Sequence, residues 1–176
     1  LGGTSDLHAG QMVDRIGVAM GLPFPAGPHL EALAEEGQAI LQLPVAVQGL
    51  TVSFSGPTSA ALRLWAQNPA PADLARAVLD CLVESVFRLV RAGVATGEPG
   101  CREILMFGGV ASNTYLRREL KERVARWDPG VKVYFGKAEL SADNAVGLAL
   151  LARDYFASTA TRGGTEDGED VDHRQP

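Results

Sequence analysis

The stretch Ile104-Leu105-Met106-Phe107-Gly108-Gly109-Val110-Ala111-Ser112-Asn113 places a short apolar run directly before a pair of glycines. A continuous apolar run of this length is typical of a central strand that is buried on both faces of a sheet. Helical spacing from Asn113 to about Trp127, a second strand over 131–135 and a helical pattern over 141–155 follow it. Strand, helix, strand and helix in this order predict a right-handed parallel crossover and therefore an α/β fold.

The earlier part of the chain has mainly helical patterns. Apolar spacing predicts helices at about 6–20, 30–40, 58–65 and 73–94, and one or two strands between Val45 and Phe54 that end at Ser55-Gly56-Pro57. Leu1-Gly2-Gly3-Thr4 is typical of a strand end and a turn, so we expect a fragment or an excised domain. One domain is expected over 1–157, and the polar, acidic residues 158–176 are expected to form a disordered tail.

Composition excludes several classes of protein. The 176 residues are 46% hydrophobic, which suffices for one packed domain. A net charge of −5 gives no basic surface for nucleic acid and no polybasic membrane patch. No apolar run reaches the roughly 18 residues of a membrane span, so a cytoplasmic protein is expected. Cys81 and Cys101 lack the close spacing of a metal knuckle and are predicted to be buried, reduced thiols.

The glycine pair suggests a ligand site, although a turn would also explain it. Gly108 and Gly109 lack Cβ atoms, so a ligand could lie against the backbone, and the start of the next helix offers N–H groups to a phosphate. Asn113 could bind a base, a ribose or a phosphate, or only cap its helix.

Three other residues have similarly divided interpretations. Asp143 is either a helix cap or an oxygen ligand for a divalent metal. Asp14 could accept ribose hydroxyls or be a solvated helical carboxylate, and Gly27 could admit a ligand or serve a turn. His8 and His29 are isolated, so neither predicts a metal site from this chain alone.

Taken together, these segments resemble the C-terminal half of the glycoprotease family from about residue 3 to 156. The segments that carry the resemblance are DLHAGQMVDR at 6–15, GLPFPAGP at 21–28, SFSG at 53–56, GGVASN at 108–113 and ADN at 142–144. The resemblance implies the actin-like, Hsp70-like ATPase fold of ribonuclease H type, in which a nucleotide binds between two lobes. This chain would contain the C-terminal lobe only.

The resemblance also implies an activity. Members were long called O-sialoglycoprotein endopeptidases, and the best-understood ones transfer a threonylcarbamoyl group from its adenylate to an adenosine of tRNA. By this resemblance, the adenine nucleotide or threonylcarbamoyl-adenylate would be bound by the following residues: Asp14, Gly27, Glu31, Gly108, Gly109 and Asn113. Asp143 would bind a divalent metal, iron or zinc, whose two histidine ligands lie in the half of the family's sequence that this chain lacks. Asp14, Gly27, Asn113 and Asp143 should line one face of a cleft, and tRNA should bind only through the intact protein or partner subunits.

The sequence also departs from the family's usual pattern. The family commonly has Glu at the position of Gln11, a Leu-Lys pair at Pro57-Thr58, and Cys-Thr at Ser141-Ala142. These differences favour a divergent paralogue and leave two alternatives to the transferase open. One is a non-catalytic nucleotide-binding scaffold that pairs with actin-like subunits, and the other is a sugar kinase or another phosphotransferase of the same fold. A metallopeptidase would need a water-activating base, which this half does not offer.

Overall fold

The computed structural model describes residues 2–97, 102–137, 150, 151 and 153. The chain divides into two compact units, Leu1–Ala142 and Asp143–Pro176. In the second unit Leu150, Leu151 and Arg153 are helical. The rest of the helix predicted over 141–155, the candidate metal ligand Asp143 and the tail predicted over 158–176 lie outside the described residues.

The first unit combines helices and strands, which confirms the α/β class. Its helices are α1 (Ala9–Ala19), α2 (Gly27–Glu35), α3 (Ser55–Trp65), α4 (Pro71–Thr96) and α5 (Thr114–Trp127). Its strands are β1 (Gly3–Thr4), β2 (Ala46–Gln48), β3 (Thr51–Ser53), β4 (Glu103–Met106) and β5 (Lys132–Phe135). A single 3₁₀ turn, Val110–Ser112, precedes α5.

The strands form two small sheets. β3 lies between β1 and β2, parallel to β1 and antiparallel to β2. Gly49, with φ of 57°, forms the tight turn between β2 and β3. β4 and β5 are paired in parallel, from Glu103 opposite Lys132 to Met106 opposite Phe135. Because α5 connects these two strands, the predicted parallel pairing through a helical connection is confirmed, and its right-handedness stays a prediction.

Helix α4 is the centre of the packing because it contributes to two apolar clusters. The larger cluster joins it to α1, α2, α3 and β3 and includes Tyr115 and Leu116 of α5. The smaller cluster packs Val90 of α4 against Leu120, Val124 and Val131. The fully buried stripe of α4 includes Leu74, Val78 and Leu82, which is the periodicity that predicted this helix.

The prediction that β4 is buried on both faces is wrong. Ile104 and Met106 pack against the smaller cluster, but Leu105 is 64% exposed and Phe107 is 73% exposed. Alternate residues of a strand point to opposite faces, and only one face of this strand is covered by α4 and α5. A short apolar run therefore does not by itself distinguish one buried face from two.

Several predicted helix boundaries are also wrong, for local reasons. α2 ends at Glu35 rather than about 40, where Gly37 lies so close to α4 that a Cβ would come within 2.1 Å of the Ala72 carbonyl oxygen. The Ser55-Gly56-Pro57 segment, predicted to break structure, forms the first turn of α3. Proline is tolerated there because its missing N–H has no partner within the first turn of a helix.

Two further expectations concern cysteines and membranes. Cys81 is buried and unbridged, and its thiol donates to the Pro44 carbonyl oxygen at 3.4 Å, while Cys101 lies outside the described residues. Burial raises the pKa of this thiol to about 11, so it stays protonated at neutral pH. None of the helices in the described ranges has the length and apolar character needed to cross a membrane.

Candidate functional site

Glu31 of α2 and Asn113 before α5 form the most highly connected polar cluster near the glycine pair. Oε1 of Glu31 accepts hydrogen bonds from the backbone N of Thr114 at 2.7 Å and of Tyr115 at 3.2 Å, and from the Thr114 hydroxyl. Oε2 accepts from Nδ2 of Asn113 at 2.9 Å. Oδ1 of Asn113 accepts from the Leu116 N–H at 2.7 Å, so Asn113 is also the N-cap of α5. This cap confirms one of the two interpretations of Asn113 and is compatible with the other.

Asp14 connects α1 to the start of α2. Its Oδ1 accepts a hydrogen bond from the backbone N of Ala26 at 2.9 Å. Ala26 is fully buried and directly precedes Gly27. Asp14 is therefore not a fully solvated helical carboxylate. It holds the backbone at Ala26, directly before α2, the helix that contains Gly27 and Glu31.

The glycines at the site differ in whether the backbone conformation or the surrounding packing calls for glycine. Gly108 has φ of 106°, a backbone conformation that favours glycine whether or not a ligand binds. Gly109 has φ of −56°, and a Cβ on it would have no neighbour within 4 Å. A Cβ on Gly27 would meet only Val13, at 4.0 Å. Neither backbone strain nor packing explains glycine at positions 27 and 109.

The elements that carry the candidate residues contact one another in turn: α1 contacts α2, α2 contacts the start of α5, and the loop before α5 contacts α1. α1 meets the start of α2 through Asp14, and α2 meets α5 through Glu31. The loop at 108–113, called the glycine loop below, returns to α1, since a Cβ on Gly10 would lie 3.6 Å from Cγ2 of Val110. Arg117 holds the end of this loop by donating to the carbonyl oxygens of Ala111 at 2.6 Å and Gly136 at 2.8 Å. Asp14, Gly27, Glu31 and Asn113 thus belong to one connected region, and their binding roles stay a prediction.

The structure corrects the idea that the start of α5 offers free N–H groups to a phosphate. The N–H groups of Thr114 and Tyr115 donate to Glu31, and that of Leu116 donates to the Asn113 side chain. The Arg117 N–H donates to the Asn113 carbonyl at 3.1 Å, as in an ordinary helix. A carboxylate from the same chain therefore already occupies the position that an anion would take.

Sequence reasoning missed three residues that shape this region, namely Thr114, Tyr115 and Asp80. Thr114 adds a hydroxyl donor to Glu31. Tyr115 is fully buried and donates its hydroxyl to Asp80 of α4 at 2.5 Å, which fixes α5 against α4. Desolvation, together with the hydrogen bond to Asp80, raises the pKa of Tyr115 above its usual range. Glu31 and Asp80, which these two residues of α5 contact, are distant from α5 along the chain, so the spacing of residues within α5 did not predict the contacts.

Two positions that depart from the family pattern form local hydrogen bonds. Oε1 of Gln11 accepts a hydrogen bond from the His8 N–H at 3.0 Å, a capping contact that a glutamate could make equally well. Thr58 is 4% exposed and its hydroxyl donates to the Phe54 carbonyl at 2.7 Å. Position 58 therefore provides no cation at the start of α3.

No metal site is formed within the part of the chain that the structure describes. No three histidine, cysteine, aspartate or glutamate side chains of these residues group closely enough to hold an ion. The one metal ligand expected from the resemblance, Asp143, is outside them. The described residues alone thus do not fit a metal centre.

Comparison of the sequence with known proteins identifies the family of this chain. A family profile described as "TsaD: tRNA N6-adenosine threonylcarbamoyltransferase" matches residues 1–150. A tRNA N6-adenosine threonylcarbamoyltransferase of Methanopyrus kandleri is 36% identical over 84% of this chain and 41% of its own length. One of Verminephrobacter eiseniae is 35% identical over 100% of this chain and 52% of its own length.

Two further similarities concern longer proteins. A probable bifunctional tRNA threonylcarbamoyladenosine biosynthesis protein of Thermoplasma acidophilum is 34% identical over 90% of this chain and 29% of its own length. The chain thus spans about half or less of the curated relatives it matches. The crystal structure of T. kodakarensis HypF has a similar fold, with a TM-score of 0.63 over 85% of this chain and 20% of that one, at 22% identity.

Proposed function

Since the chain belongs to the tRNA N6-adenosine threonylcarbamoyltransferase family, we propose that it forms one wall of an adenylate-binding site used to transfer threonylcarbamoyl to a tRNA adenosine. The observation that supports this most is the connected region of Asp14, Gly27, Glu31 and Asn113. The relatives of known name share this stretch of sequence, and the chain spans only part of their length.

The chemistry of the region suits the nucleoside part of an adenylate. Carboxylates such as Asp14 and Glu31 accept hydrogen bonds from sugar hydroxyls, and an amide such as Asn113 both donates and accepts at a base edge. Gly27 and Gly109 leave open space next to the backbone, which allows a ligand to approach closely.

We further assign the chain to the C-terminal lobe of an actin-like, ribonuclease H-like fold. The mixed α/β architecture and the likeness to the HypF fold support this assignment. In that arrangement the other lobe would cover the ligand's second face. This chain alone should bind adenosine monophosphate weakly, with a dissociation constant of about 1 mM or roughly −4 kcal/mol.

The remaining parts of the proposal concern components that this chain does not supply by itself. A divalent metal, iron or zinc, would require Asp143 together with ligands from elsewhere in a longer protein. A net charge of −5 suggests that tRNA is bound by other parts of the protein or by partner subunits. A role in tRNA modification would place the protein in the cytoplasm.

A non-catalytic nucleotide-binding scaffold that pairs with actin-like subunits is the second candidate. It is favoured by one observation, the buried Thr58 at a position where the family commonly has lysine. Loss of that cation changes the charge near the start of α3 and leaves the Glu31–Asn113 cluster intact. Transfer activity of a longer protein with Thr58 at this position would exclude the scaffold.

The first prediction concerns the Asn113 side chain. Titration of the chain with adenosine monophosphate, followed by amide chemical shifts, should perturb residues around Gly27, Glu31 and Asn113. Asn113→Ala should weaken binding at least about tenfold, because it removes both the base contact and the partner of Glu31. Gln67→Ala is the control, since Gln67 is exposed beyond the end of α3. Equal affinity of both variants would contradict the proposed site.

A further inference from the structure

Charge is distributed unevenly along the chain, so the net charge of −5 does not describe every surface. Residues 138–176 contain eight acidic and three basic residues and account for the whole net charge. Residues 1–137 contain 13 acidic and 13 basic residues. Among these, α5 has five basic residues and two acidic ones within 14 positions. A basic surface on α5 is therefore compatible with an acidic chain.

Two arginines from different helices meet where the second half of α5 packs against α4. Arg88 of α4 donates from Nε to Oε1 of Glu84 at 2.8 Å, and Arg123 of α5 donates from Nη1 to Oε2 of the same residue at 2.8 Å. Two cations therefore share one carboxylate, which leaves an excess of positive charge at this contact. Because a guanidinium has five N–H groups, each arginine keeps donors that Glu84 does not use.

Arg91, on the next turn of α4, contacts aromatic rings rather than a carboxylate. Its guanidinium carbon lies 5.9 Å from the ring centre of Phe87 and 5.6 Å from that of Trp127. The two rings meet edge to face, with their centres 6.0 Å apart. Arg91 is exposed, and none of the ion pairs within the described ranges includes it. The rings thus support a charged group that is open to solvent.

These side chains form one surface, called the arginine face below: Arg88, Arg91, Arg123, Phe87 and Trp127. A guanidinium donates two parallel hydrogen bonds to a phosphate, and a ring beneath it limits the orientations that are lost on binding. Three cations with one shared carboxylate attract a polymer of phosphates more strongly than a single anion, because each neutralised phosphate releases a counterion. Basic side chains interleaved with aromatic ones are typical of RNA-binding surfaces.

We propose that the arginine face binds the phosphate backbone of RNA. The inference rests on the proposed function, which supplies this RNA as the tRNA substrate. α5 extends over 14 residues, or about 20 Å, between the candidate site and this face. The face therefore contacts the tRNA away from the adenosine that reacts, and it positions the backbone without reading the sequence. It adds to the tRNA contacts made by other parts of a longer protein.

Fluorescence anisotropy of a labelled RNA stem-loop, titrated with the chain at several salt concentrations, tests this inference. Arg91→Ala should weaken RNA binding about tenfold and lower the slope of log affinity against log salt concentration by about one, because one phosphate contact is lost. Arg91→Lys keeps the charge without the planar fork. It should restore the salt slope but only part of the affinity, which a purely structural role of Arg91 does not predict.

A matched control separates this face from charge in general. Arg63→Ala also removes one exposed arginine, but Arg63 lies near the end of α3, and its loss should leave RNA binding unchanged. Equal effects of Arg63→Ala and Arg91→Ala on RNA affinity would overturn the assignment. Tighter binding of a polyglutamate peptide than of an RNA with the same number of charges would also overturn it, and would indicate an acidic protein partner instead.

The outcomes distinguish the arginine face from the function on which it rests. Arg91→Glu should abolish RNA binding and leave the response of Asn113 to adenosine monophosphate unchanged, since a mononucleotide at the candidate site does not reach this face. RNA binding that depends on Arg91, without any response of Asn113 to the nucleotide, would overturn the proposed site and retain the face. The reverse result would overturn the face and retain the proposed site.

Discussion

The Asp6 carboxylate joins two segments that are distant in the sequence. Oδ1 accepts hydrogen bonds from the backbone N of Leu7 at 2.6 Å, of Phe54 at 2.9 Å and of Ser55 at 3.3 Å. Oδ2 accepts from the Ser53 hydroxyl. The Ser53 hydrogen bond, with the backbone donors, holds the pKa of Asp6 well below its usual range. The ionised carboxylate therefore fixes the segment after β1 to the start of α3.

This contact predicts a dependence of stability on pH. A depressed folded-state pKa means that the contribution of Asp6 is complete above the unfolded-state value of about 3.9 and is lost as the pH falls below it. Asp6→Asn should lower the thermal midpoint at pH 7, and the difference from the unmodified chain should narrow below about pH 4. Glu122→Gln is the control, because Glu122 is an exposed carboxylate. A difference that is constant from pH 7 to pH 3 would contradict the prediction.

At this scale, sequence reasoning named candidate residues but did not predict their hydrogen-bond partners. Glu31 was named only through family resemblance, since nothing in the spacing of α2 distinguishes it from Glu35. Its partners begin 82 residues later, and a single sequence gives no contact between such distant positions. The same reason hid Asp6, whose partners Phe54 and Ser55 lie 48 and 49 residues away.

At the scale of elements, the contact between α1 and α2 depends on Gly17. A Cβ on Gly17 would lie 2.4 Å from the Cβ of Ala26, the residue whose N–H donates to Asp14. No side chain fits at that distance, so α1 and the start of α2 can approach this closely only with glycine. Gly93 of α4 has its nearest neighbour, Cδ2 of Leu50, at an ordinary 3.8 Å.

These two helical glycines form a matched pair for mutation. Gly17→Ala should destabilise the fold by about 1–3 kcal/mol, because the added methyl separates α1 from Ala26. Gly93→Ala should stabilise it by about 0.5–1 kcal/mol, since alanine is the better helix former and the space is available. Urea denaturation followed by circular dichroism measures both. A Gly17→Ala variant that is as stable as the unmodified chain would show that the separation of α1 and α2 is not set by Gly17.

Helices with a long apolar periodicity could be predicted from the sequence, but the residues at which helices begin and end could not. α4 has 26 residues with one buried stripe, so its pattern stands out clearly from the sequence. The ends of α2 and α3 are set by contacts with other elements, Gly37 against Ala72 for α2 and Asp6 at Phe54 and Ser55 for α3. Such boundaries depend on tertiary packing, which a local pattern does not contain.

For the molecule as a whole, the described part of the first unit has two apolar clusters joined along α4. The smaller cluster is completed by α5 and the covered face of β4 and β5. Sequence reasoning gave the α/β class and the parallel strand pair, but it assigned β4 too central a position. Whether a face of a sheet is buried depends on whether helices or another sheet pack against it. The apolar content of one strand does not predict this packing.

This difference between faces can be measured with two leucines. Leu120→Ala should cost about 2–5 kcal/mol in free energy of unfolding, because Leu120 is fully buried and its loss leaves a cavity. Leu105→Ala should cost less than about 1 kcal/mol, because Leu105 is 64% exposed. Chemical denaturation of both variants checks the contrast. A similar loss for both would mean that the outer face of β4 is covered.

The hydrogen bond between Glu31 and Asn113 also sets an order of events during protein synthesis. α2 is translated first, and 82 residues separate its Glu31 from Asn113. Until α5 has been made and the long intervening loop has closed, at an entropic cost, the Glu31 carboxylate can only be hydrated. A nascent chain that stops before α5 therefore contains Asp14 and Gly27 but lacks the hydrogen bond between Glu31 and Asn113. Under the proposed function, prematurely terminated products should consequently compete poorly with the finished chain for adenosine monophosphate.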